Sequence, residues 1–196
     1  MKSNICTLEE GNASLSLLLD ETEKAAAYSN LDKKQTGRLR LLAEELVEML
    51  PELLSFSKGK FWIESEEKVF SLHTVLTPNE SMTAERREKL LAVSSTGKNS
   101  AAIGIMSKIK LAAEFMLIDY EENATYSTPF YENGMINPVS IGMDLAWSLN
   151  SYKQKANTQK DERWDELEKS IIANIADDVL VGVQGKKVEI IVKKSF

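Results

Sequence analysis

The chain has 196 residues and a formal net charge of −6, with 43% hydrophobic and 28% charged residues. That length and balance fit one globular domain with a sizeable core, and the acidic surplus speaks against a general binder of nucleic acid or anionic membrane, which attracts phosphates with a cationic surface. A single cysteine, Cys6, and a single histidine, His73, exclude an internal disulfide, a thiolate zinc cluster within one chain and a histidine-rich metal site.

The opening stretch, "MKSNICTLEEGNASLSLLLDE", carries Glu9 and Glu10 before a very short apolar run. It reads as neither a signal peptide nor a spanning segment, and no other run approaches about 18 apolar residues. The expected compartment is the cytoplasm. Residues 14–28 read as a first helix, with Leu15, Leu18, Leu19 and Ala26 on one side. Residues 31–54 carry the strongest helical signal: Leu39, Leu42, Leu46, Met49, Leu50 and Leu53 recur at helical spacing. Pro51 should kink that helix or start a separate last turn, and Gly59 fits a stop beyond it.

The period then changes. In "KFWIESEEKVFSLHTVL" two β-rich runs, 60–64 and 69–76, flank a polar turn, which predicts an antiparallel hairpin. Phe70, Leu72 and Leu76 share one face, with Ser71 and His73 opposite, so His73 is expected as a half-exposed strand residue rather than a catalyst. "TPNES" should break the strand. Thr83 caps a short helix over 84–93, residues 94–100 are loop, and 101–119 form a second strong helix with Ile105, Ile109, Ala112 and Met116 in register. Residues 121–139, with Pro129, Gly134 and Pro138, read as irregular. Helices over 141–155 and 161–175 follow, joined by the polar "KANTQKDER", and the chain closes with a hairpin of 179–183 and 187–193 turning at Gln184 and Gly185. The expected fold class is α+β: a two-layer α/β sandwich in which one mixed or antiparallel sheet of about four strands carries helices mainly on one face.

"SSTGKNSAAIGIM", residues 94–106, places a glycine and a lysine beside hydroxyls, then a second glycine opening an apolar helix. A Walker-type phosphate loop does not fit: its first glycine falls at Ala92, Asn99 follows Lys98, and the preceding element is a helix. No dinucleotide fingerprint occurs either. The acidic pairs Glu44/Glu45, Glu121/Glu122 and Asp177/Asp178 read as solvated or helix-end charge, and Trp62, Trp147 and Trp164 as core or interface anchors. Ser-His-Asp hydrolysis would have to use His73, and no nucleophile elbow occurs.

The stretch "MTAERREKLLAVSSTGKNSAAIGIMSKIKLAAEFM" resembles the second glycine box of the GHKL ATPase superfamily, which includes histidine kinases and anti-sigma-factor kinases. There a short helix, a lid loop and a glycine turn open a helix toward the triphosphate; free backbone N–H groups and the positive helix end would hold it. The resemblance implies a nucleotide site with Ser95, Thr96, Gly97, Lys98 and Gly104 on the phosphates of ATP. It also makes 31–54 the helix that carries a Glu as general base and, four residues on, an Asn that holds Mg²⁺. Here Glu45 is followed at that spacing by Met49, and Glu44 by Glu48, so the Asn is missing in both registers and only Glu48 could ligate a metal. The adenine-recognising Asp-x-Gly-x-Gly box is matched in position by Thr77-Pro78-Asn79-Glu80-Ser81, which lacks the Asp and the glycines.

The resulting expectation is a degenerate member: a noncatalytic binding or regulatory protein of bacterial signalling, with a protein partner, no nucleic acid, no membrane and a homodimer as its candidate assembly. Its candidate partner surface is an irregular insertion at 120–140. The alternative is an ATP-binding anti-sigma-type Ser/Thr kinase or ATPase with Glu45 as base, Glu48 as substitute Mg²⁺ ligand and Lys98 on the phosphates. An unrelated α/β fold stands as the third reading.

Overall fold

A computed structural model describes residues 1–9, 15–79, 147–158, 170–184 and 187–196, together with 109, 112, 113, 117, 131, 132, 135 and 136. Its elements are β1 (Cys6–Leu8), α1 (Leu15–Tyr28), α2 (Lys33–Leu53), β2 (Phe56–Glu66), β3 (Val69–Pro78), β4 (Tyr131–Glu132), β5 (Met135–Ile136), β6 (Trp147–Ser148), α3 (Leu149–Thr158), α4 (Ile171–Ile175), β7 (Asp178–Gln184) and β8 (Lys187–Ser195). Six strands form one sheet in the order β1-β2-β3-β8-β7-β6, and every described pairing is antiparallel. The fold is therefore α+β, with two more strands in the sheet than the four expected. Both additions are short edge strands, three and two residues long, below the length at which alternation becomes visible.

α2 starts where its cap permits. Asp32 Oδ1 accepts from Gln35 N at 2.8 Å, while Gln35 Oε1 accepts from Asp32 N at 3.1 Å, a reciprocal capping box. The helix runs through Pro51 to Leu53, and Leu54 is its extended C-cap. Leu39, Leu42, Ala43, Leu46, Val47, Met49, Leu50 and Leu53 make its buried face. Gly59 is not a helix stop. It lies inside β2, opposite Leu8 on β1 and Leu76 on β3, where a Cβ would come within 2.8 Å of Leu76 Cδ2 and 3.0 Å of Leu8 Cβ. The glycine lets three strands close at that row.

The core face of the sheet follows from register. Cys6 and Leu8, then Phe61 and Ile63, then Phe70, Leu72 and Leu76, then Val188, Ile190 and Val192, then Val179 and Val181 form one buried cluster with Leu18 of α1, the apolar face of α2, Leu149 of α3 and Ile172 of α4. Helical residues at 109, 113 and 117 are buried in the same cluster, four apart as a helix requires.

Three boundaries differ from the sequence reading. β3 is not broken at Thr77 but continues to Pro78, because β8 pairs only as far as Leu76 and the missing proline N–H costs no ladder bond on that side. Trp147 and Ser148, read as helix, are strand β6. The helix starts after them because Ser148 Oγ accepts from Ser151 N at 3.2 Å and Asp178 Oδ1 accepts from Asn150 N at 3.0 Å. The last helix begins afresh at Ile171, capped by Ser170, whose side chain accepts from Ala173 N. Within the segment read as irregular, β4 and β5 pair as Tyr131↔Ile136 and Glu132↔Met135, a two-stranded ladder separate from the main sheet. The predicted helix 84–93, loop 94–100 and Trp164 lie outside the described residues, as do Glu121 and Glu122. Asp177, directly after the C-cap of α4, is exposed as expected of helix-end charge and also accepts from Lys194 Nζ and Ser195 N, while half-buried Asp178 accepts from Ser148 Oγ. Those hydrogen bonds outweigh burial and hold the Asp177 carboxyl below its usual range.

Candidate functional site

The carboxylates proposed for nucleotide chemistry sit one turn apart on α2. Glu45 lies half-buried at the border of the helix's apolar face, whereas Glu48 is exposed. Burial, then the nearby charge of Glu48, push the Glu45 carboxyl above its ordinary value. Met49, at the position where an Asn would hold the metal, is only 6% exposed and belongs to the hydrophobic core. Where the adenine box would begin, Asn79 is turned back on the chain: its N–H donates to Ser55 O at 3.1 Å and its Nδ2 to Ser55 Oγ at 2.9 Å. Ser95, Thr96, Gly97, Lys98 and Gly104 lie outside the described residues. Among the described residues, no three His, Cys, Asp or Glu side chains come together in a metal-holding group.

The best-organised polar cluster is elsewhere, on the sheet face away from the helical core. Residues alternate along a strand, so β2 presents Lys60, Trp62 and Glu64 there, β3 presents Ser71, His73 and Val75, and β8 presents Glu189, Ile191 and Lys193. Sequence period placed His73 on this face correctly, but the residue is 1% exposed, not half-exposed; Glu189 and Ile191 beside it are also buried. Alternation tells which face a residue takes; it carries no signal for whether that face is covered.

The cross-strand partner of His73 is Trp62, and the two rings stack with centroids 4.8 Å apart and planes 3° apart. His73 Nδ1 lies 3.5 Å from Glu189 Oε1, and Nε2 lies 3.7 Å from Glu64 Oε2. Glu64 is itself held by two donors on its other oxygen, Lys2 Nζ at 2.9 Å and Trp62 Nε1 at 3.0 Å. Burial would raise the Glu64 carboxyl, but those hydrogen bonds and the nearby His73 outweigh it and leave it below the usual carboxylate range. Lys2 also stands 5.0 Å above the Trp62 ring.

Beside this cluster, at the β2–β3 turn, an open cleft of about 860 Å³ is lined by Lys2, Glu64, Ser65, Glu66, Glu67 and Ser71, among others. The segment before β1 closes its rim through Ser3 N to Ile63 O at 2.9 Å and through Ser3 Oγ, which accepts from Ile63 N at 2.9 Å. Further along, Asn4 is anchored on Glu21 Oε2 by its backbone N–H at 3.0 Å and its Nδ2 at 3.1 Å. The Lys24 hydrogen bond, opposed by burial and helped by Asn4, keeps Glu21 below its ordinary value. No helix among the described residues is long and apolar enough to cross a membrane. No family model, no curated protein and no solved structure matches this chain.

Proposed function

We propose that this chain is a noncatalytic binding or regulatory protein built on a two-layer α/β sandwich of the histidine kinase-like type, helices mainly on one face, with a degenerate nucleotide pocket and a protein partner. The order of elements supports the reading: a long helix with paired carboxylates, a β-hairpin directly after it, and a closing hairpin whose last strand returns beside the first hairpin. The observation that carries the degenerate pocket is Met49. A thioether packed in the core cannot replace a metal-ligating amide, and an exposed Glu48 leaves its carboxylate in water rather than inside a site. Among the described residues a Mg²⁺ ion would have two carboxylates at this helix edge, half-buried Glu45 and exposed Glu48; that set is too sparse to assign a catalytic step through the ion.

The alternative enzyme reading takes Glu45, whose carboxyl burial pushes above its ordinary value, as base, Glu48 as substitute metal ligand and Lys98 on the phosphates. Phosphate release and self-phosphorylation from ATP with Mg²⁺ separate the two. The noncatalytic protein gives neither above background, and Glu45→Gln changes nothing. Turnover that falls by about 100-fold or more in Glu45→Gln, the size of a lost general base, would establish the ATPase or kinase instead.

A further inference from the structure

We propose that His73 is a proton-operated latch on the second face of the sheet: its imidazolium ties β2 to β8 across β3, and loss of the proton releases the tie. The geometry is specific. A buried ring on the central strand has a carboxylate facing each nitrogen, Glu189 from β8 at 3.5 Å and Glu64 from β2 at 3.7 Å. Only the imidazolium has an N–H for both; a neutral ring turns a lone pair toward one of the two carboxylates. Glu189 Oε1 is buried and accepts no hydrogen bond among the described residues, so the facing His73 ring is the positive partner the structure offers it. In a site with little water that pairing is weakly screened.

Among the described residues, the charged groups around the ring are set by the sheet register. Glu64 and Glu189 face it directly, Lys2 reaches it through Glu64, and Lys60 and Lys193 stand on the same face one row away on β2 and β8. Trp62 fixes the ring plane by stacking. Because Glu64 also holds Lys2, the latch connects the sheet centre to the segment that closes the cleft at the β2–β3 turn. Histidine is the side chain whose charge changes between about pH 5 and 8. Because the tie needs an N–H on each ring nitrogen, the proposed stabilisation is present with the ring doubly protonated and absent once one proton is lost.

The test uses the fact that the chain has one histidine, so its imidazole resonances need no assignment. Full-length protein is titrated by NMR from pH 5 to 9 while melting is followed at each pH. The latch predicts a Tm that drops by about 2–4 °C across the His73 titration, a smaller drop over that range in His73→Gln, and a His73 titration moved to lower pH in Glu189→Gln. A His73 midpoint unmoved by Glu189→Gln, or a wild-type Tm that ignores the titration, overturns the proposal. Should His73→Gln not fold, the wild-type titration and the two carboxylate variants, Glu189→Gln and Glu64→Gln, decide the question by the same criteria.

Discussion

Phe61→Ala should lower the free energy of unfolding by about 3–5 kcal/mol, the largest single effect expected among the described residues. Phe61 is fully buried at the centre of β2, opposite Cys6 on β1 and Thr74 on β3, and belongs to the cluster that joins the sheet to α1 and α2. Truncation removes the transfer free energy of the ring and leaves a cavity in a close-packed core. β1 has three residues and one of its three pairing partners is Phe61, so the loss falls on a short edge of the sheet. Urea unfolding followed by far-ultraviolet circular dichroism measures it. A change below about 1 kcal/mol would place Phe61 outside the core and contradict the β2 register.

Gly59→Ala should cost about 1–3 kcal/mol, the range for overpacking a well-packed core. It should also do something a cavity mutation does not: push β1 off the sheet. The added methyl would stand 2.8 Å from Leu76 Cδ2 and 3.0 Å from Leu8 Cβ, and Leu8 is the last residue of β1. Leu76 is held between β2 and β8, so the short edge strand is the element that yields. Cys6 reports the displacement. Its thiol is 3% exposed, and burial, with the Glu21 charge, pushes it above its usual range, so it reacts slowly in the native protein. Gly59→Ala should raise the rate of Cys6 modification by a thiol reagent at least ~10-fold, the equivalent of about 1.4 kcal/mol of local opening. An unchanged rate with reduced global stability would show that β3, not β1, absorbs the methyl.

The long α2 and the two hairpins were legible because each keeps one hydrophobic period for several turns or pairs. Leu39 through Leu53 repeat at helical spacing, and Phe70, Leu72 and Leu76 alternate as a half-buried strand does. Elements set by a tertiary partner left no such trace. β1 exists because Leu8 finds the gap above Gly59; read locally, that glycine suggests a helix end. Trp147 and Ser148 are strand because Val181 and Leu180 pair with them and Asp178 caps the helix that follows, a contact across 28 residues. The site shows the same division. The spacing of Glu45 and Met49 on one helix was readable, and the structure adds that Met49 points into the core. The His73 cluster draws Glu64, Trp62 and Glu189 from two other strands, and Glu189 joins only through the β3–β8 pairing, 116 residues away in the chain, which periodicity in one segment cannot show.

The proposed histidine kinase-like frame without a working nucleotide site is tested by calorimetric titration of the purified chain with ATP and with ADP, each with and without Mg²⁺. No saturable heat with either nucleotide and no rise in melting temperature at millimolar concentration are expected. Micromolar, Mg²⁺-dependent binding of ATP that disappears in Glu48→Ala would contradict the proposal, and would make the α2 carboxylates a metal site in spite of Met49.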